Sequence, residues 1–200
     1  PDTAFPSPCR RTDPQEITLH FEAGELTGVD GTLYDHPVQA IRALQELASQ
    51  FAIGRDIHVG DTVVGIKGRV GFEAAAPLII IKAHHLLEKH TLTKWQIYWK
   101  EQLANWYGMF LHEAMYHEPV MRNIETFLES TQENVSGKVF VLLKPCHFEL
   151  QGIESDHDLM KSGFGEYGET VKAWTAEDVK GFTKILSNSL KVYHKVNGKI

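Results

Sequence analysis

Cysteine is scarce in this chain. Two thiols in 200 residues, Cys9 and Cys146, cannot build a disulfide framework, so a reducing, cytoplasmic setting is expected. Excess positive charge is missing as well. Twenty Lys and Arg face 26 Asp and Glu, and the net charge of −6 gives nucleic acid no basic surface to bind. No apolar run approaches the roughly 18 residues needed to cross a bilayer. The longest, Ala74 to Ala83, is broken by Pro77 and Lys82. No signal-peptide pattern opens the chain. Phosphate loops are also lacking: Gly65-Ile-Lys-Gly-Arg-Val-Gly71 has glycines but neither a G-K-[ST] ending nor G-x-G-x-x-G spacing. No serine is placed as a nucleophile, and Cys146, after Pro145 in a predicted turn, reads as an incidental thiol.

What is present is ordinary for a globular protein: 42% hydrophobic and 23% charged residues, enough for one domain, or one and a half, with a real core. The first 16 residues begin at Pro1 without an initiator Met, are rich in proline and charge, and read as a linker after a preceding segment. Ile17 to Phe21 alternates like a half-buried strand, and Glu25 to Gly31 continues as a meander. Tyr34 to Phe51 carries Val38, Ile41, Leu44 and Leu47 at helical spacing, and Gly54 ends it. Ile57 to Ile66 and Val70 to Phe72 read as glycine-punctuated strands. Pro77 to about His90 predicts a helix buried on most sides, with Pro77 in its first turn. Thr91 to Glu118 predicts a further helix, with Gly108 as its kink point. Pro119 opens another, and Lys138 to Gly152 predicts a hairpin. Thr175 with Asp178 makes an N-cap for a terminal helix to about His194, striped with Val179, Phe182, Ile185, Leu186 and Leu190. The fold class expected is α+β: a small antiparallel sheet, several packed helices and a protruding C-terminal helix. Residues 17–174 form the expected domain, and 175–200 an oligomerisation helix.

The densest chemistry lies between Asp56 and Pro77. Asp61, Thr62, Lys67, Arg69, Phe72 and Glu73 sit on short strands, which hold polar groups rigidly, beside glycines that let a ligand approach the backbone. Two histidine clusters compete for attention. His112 and His117 lie at i and i+5, roughly 140° apart on a helix, where one metal cannot easily take both. In the run His84 to His90, His85 and Glu88 share a face, and Lys89 and His90 suit the negative end of a helix dipole. No metal is expected at either cluster.

A series of blocks, in one order, is similar to the argininosuccinate synthases. They are Gly65-x-Lys-x-Arg-x-Gly-x-Glu73, Ala83-His84 with Leu87-Glu88, Thr91-Leu-Thr93, Gly108, Pro119-Val-Met-Arg122, Thr131-Gln132 with Val135 and Gly137, Glu154-Ser155, Asp158-Leu-Met160, Gly165-x-Tyr-Gly-Glu169, and Trp174 to Lys184. The resemblance implies the C-terminal half of a ligase of arginine biosynthesis and the urea cycle. That ligase joins citrulline to aspartate through a citrullyl-adenylate and releases AMP and diphosphate. It also implies that ATP with Mg is bound by a missing N-terminal domain, whose Ser-Gly-Gly-Leu-Asp-Thr-Ser loop is not found here. The isolated chain should then be inactive, hold no catalytic residue of its own, and form a homo-oligomer, by family resemblance a tetramer. The citrulline-pocket edge implied is Gly60, Asp61, Lys67, Arg69, Phe72 and Glu73. At Gly60 and Phe72 the family usually has a glutamate and a tyrosine. Two other readings stay open: an oligomerisation module with no pocket of its own, and a metal hydrolase built on the histidines.

Overall fold

The computed structural model describes residue 5, residues 7–163 and residues 173–198. The block at 165–169 and the first four residues of the expected linker lie outside the described residues. The described elements are β1 (Gln15–Glu22), β2 (Glu25–Val29), β3 (Thr32–Leu33), α1 (Pro37–Ser49), β4 (Arg55–Asp61), β5 (Lys67–Glu73), α2 (Ala75–Thr91), α3 (Lys94–His112), α4 (Pro119–Gln132), β6 (Gly137–Lys144), β7 (His147–Glu154), α5 (Ala176–Leu186) and α6 (Asn188–Val196). The protein is α+β. It divides into two compact units, one up to Leu159 and one from Met160.

In the first unit, five antiparallel strands run in the order β3-β2-β1-β6-β7. Period-2 alternation sets the inner face: Ile17, Leu19 and Phe21 of β1 are buried, as are Val139, Val141 and Leu143 of β6. The register Leu19↔Val139 places these two sets on one side. There they meet Ala40, Leu44 and Ala48 of α1 and Ile79, Ala83 and Leu87 of α2. Pro37 opens α1, where a missing N–H costs nothing, and the His36 imidazole accepts from Val38 N–H.

Three local expectations are corrected. α2 is amphipathic rather than buried on most sides: only one flank packs on the core, and Ile81 remains 64% exposed on the other. The predicted helix from Thr91 to Glu118 is broken twice. Leu92 turns extended before the Thr93–Gln96 capping box that starts α3, and Ala114 takes φ +60° after it ends. Both breaks are local cap events rather than a kink at Gly108.

In the second unit, the Thr175–Asp178 capping box opens α5 as expected, and the Thr175 hydrogen bonds hold the Asp178 carboxyl below its usual range. The single terminal helix of the sequence reading is two helices that part at Ser187. Val179, Phe182, Ile185, Leu186 and Leu190 are all exposed. Among the described residues, no helix is long and apolar enough to cross a membrane.

Candidate functional site

The strands β4 and β5 pair with each other alone, from Arg55↔Glu73 to Asp61↔Lys67. The strand expected from Ile57 to Ile66 stops at Asp61 because Thr62 closes a turn. Its amide and its hydroxyl both donate to the Ile66 oxygen at 2.9 Å, and Gly65, at φ +80°, donates back to the Thr62 oxygen at 2.8 Å. The hydrophobic cluster of the core contains no residue between 55 and 73. The hairpin is a mostly exposed ribbon with two usable faces.

The register sorts the site residues between those faces. Asp61, Lys67, Arg69 and Glu73 share one with Arg55 and Val59; Gly60 and Phe72 share the other with Asp56 and His58. Asp61 and Glu73 therefore cannot stand in for a carboxylate at Gly60. Each is already paired: Lys67 Nζ lies 2.7 Å from Asp61, and Arg55 Nε lies 3.2 Å from Glu73. The first pair is largely exposed and is worth about 0–1 kcal/mol. Arg69 forms no ion pair with any described residue. Beside Gly60 sits the His58 ring, whose Nε2 would be 2.5 Å from a Cβ placed there. The glycine run thus forms a turn and a strand, and not a strand-to-helix phosphate cradle.

The histidines fall elsewhere. His112 is the last residue of α3, and its Nε2 lies 3.2 Å from the Asp61 backbone oxygen. His117 lies beyond that helix, before Pro119. Among the described residues, no three His, Cys, Asp or Glu side chains gather as a metal site.

A second polar constellation was not recognised in the sequence. Glu88 is 1% exposed, on the side of α2 that also carries Ile81, where α3 and α4 reach it. Its oxygens accept from Lys100 Nζ at 2.7 Å and from Gln132 Nε2 at 2.9 Å, which ties α2 to α3 and α4. His84 Nε2 sits 2.8 Å from Gln132 Oε1, and burial pushes its pKa down, against the pull of Glu88. His90, expected only to complement a helix end, meets Asp158 at 3.1 Å. Spacing along α2 gave no signal, because Glu88 lies two turns beyond the exposed Ile81 on the same side of the helix and is covered by residues of α3 and α4.

Comparison with known proteins adds the family. The model of the arginosuccinate synthase C-terminal domain matches residues 5–193. The chain belongs to the argininosuccinate synthase family. Its similarity to the argininosuccinate synthase of Xylella fastidiosa is 34% identity over 197 residues, covering 98% of this chain and 47% of that protein. The argininosuccinate synthases of Xanthomonas campestris and Dictyoglomus thermophilum are 33% and 31% identical, covering 98% and 86% of this chain and 48% and 43% of their own lengths. The chain spans about half the length of these relatives. The range matched to the family takes in the β4–β5 hairpin, the Glu88 network and all of α5.

Proposed function

We propose that the protein carrying this chain is an argininosuccinate synthase, of which the chain supplies the synthetase half. The citrulline ureido oxygen attacks the α-phosphorus of ATP and diphosphate leaves. The aspartate amine then attacks the ureido carbon of the adenylate and AMP leaves. ATP and Mg belong to the half outside this chain; the glycine run supports that placement, since it is a hairpin turn and strand rather than a loop opening onto a helix N-terminus. The observation that carries the reading is the family match from residue 5 to 193.

The hairpin borders the substrate pocket. Its Gly60 and Phe72 face meets the citrulline side, with His58 and Asp56 as the polar groups there. The pairs Asp61–Lys67 and Arg55–Glu73 brace the ribbon, and Arg69, on the face opposite Gly60 and Phe72, is the cation left to meet a carboxylate of the second substrate, aspartate. In the full-length protein, Arg69→Ala should lower kcat/KM about tenfold or more, as for loss of one charge-assisted hydrogen bond, with the Tm unchanged. An unchanged kcat/KM at normal stability would make these residues surface charge. The alternative, an oligomerisation module with no pocket, would then gain from the loss of side chain at Gly60.

A further inference from the structure

Cys9 and Cys146, the only cysteines in the chain, converge on one backbone carbonyl. The Cys9 thiol lies 3.7 Å from the Phe51 oxygen, and the Cys146 amide donates to the same oxygen at 2.7 Å. Both thiols are free and exposed. The approach is held from each side. The Arg10 and Arg11 amides both donate to the Gln50 oxygen, at 2.7 and 3.0 Å, and the Arg11 guanidinium lies 5.5 Å from the centre of the Phe51 ring. Cys146 stands in the turn between β6 and β7 at φ +60°, a conformation that side chains seldom adopt and that the turn and the Phe51 contact hold in place. The Cys9 thiol also lies 3.3 Å from the Arg11 oxygen, so the thiol of one segment and the backbone of the other meet at one carbonyl, and a bridge requires Cα atoms about 4.4–6.8 Å apart.

We propose that Cys9 and Cys146 are a reactive thiol pair that closes to an intrachain disulfide by exchange with a low-molecular-weight disulfide such as oxidised glutathione. One cysteine thiolate attacks a glutathione sulfur, breaks the S–S bond and releases one glutathione thiolate. The second cysteine thiolate then attacks the protein-bound sulfur of that mixed disulfide and expels the second glutathione. Two electrons pass from the protein thiols to the glutathione disulfide, and the two thiol protons end on the released glutathiones. The product pins residues 7–11 to the β6–β7 turn. That strap already touches the candidate site, because the Ser7 oxygen accepts from Arg55, the residue that pairs with Glu73 at the base of the hairpin.

The test is incubation of the whole chain with oxidised glutathione, followed by non-reducing mass spectrometry of the intact protein and of its peptides. The expected product is two hydrogens lighter than the reduced chain, carries no glutathione, and yields one peptide pair joined through Cys9 and Cys146. Its Tm should exceed that of the reduced chain, because a closed long loop restricts the unfolded state. Cys9→Ser and Cys146→Ser should each lose the link and the Tm difference while remaining folded. Two separate glutathione adducts on one chain, disulfides only between chains, or no reaction would each overturn the proposal. So would a link that lowers the Tm, since it could form only by distorting the fold.

Discussion

Glu88 shows what a single buried charge requires. Its carboxylate is acceptable inside the helices only because Lys100, Gln132 and His84 converge on it. Glu88→Ala should therefore cost about 3–5 kcal/mol, read as a lowered urea midpoint, because it strands a largely buried ammonium. Glu88→Gln should cost less. His84 makes the neighbouring prediction. Burial holds its pKa below the ordinary 6.5, while Glu88 and Gln132 oppose the shift and Lys100 and His85 reinforce it. The unfolded chain thus takes up a proton as the pH falls through 6.5 that the folded chain takes up only at lower pH. His84 accordingly withdraws stability as the pH falls below that value and withdraws none above it. The urea midpoint should drop between about pH 7.5 and about pH 5.5, and by less in His84→Gln. Local features at this scale were legible: Pro119 and the Thr175–Asp178 cap sit where capping rules place them, whereas the helix read from Tyr34 starts only at Pro37. The Glu88 network was not, because its partners come from helices that only tertiary packing brings together.

Among the elements, the strand β1 and the β6–β7 hairpin follow from their hydrophobic patterns, and α1 forms as expected but buries Ala40, Leu44 and Ala48 while Val38 and Ile41 of the expected stripe stay exposed; the ends of β4 and α3 do not follow. β4 stops because Thr62 spends its amide and hydroxyl on a turn, although the valines that follow favour extension. The face assignment of the candidate residues was half legible. Alternation separates Gly60 from Asp61, but only the cross-strand register shows that Asp61 meets Lys67 and Glu73 meets Arg55. The junction before α2 rests on Gly54, at φ +84°, where a Cβ would lie 2.5 Å from the Ala74 carbonyl carbon. Gly54→Ala combines backbone strain with a clash against backbone and should cost about 1–3 kcal/mol or more by chemical denaturation. A cost near zero would mean that the turn relaxes freely.

For the whole molecule, the exposed stripe on α5 and α6 argues for a partner surface, since an uncovered apolar patch of several hundred Å² is uncommon in monomers. We expect a homo-oligomer in which these helices take part. Deleting residues 175–200 should leave a folded chain of lower oligomeric mass by light scattering, and an unchanged mass would remove these helices from the interface. We propose that this chain is the synthetase half of a two-part ligase. The proposal is tested most directly by diphosphate release from ATP in the presence of citrulline and aspartate. The full-length protein should release one diphosphate per argininosuccinate formed, only with both amino acids present, and the isolated chain should release none. Release by the isolated chain, or no citrulline-dependent release by the full-length protein, would contradict the account.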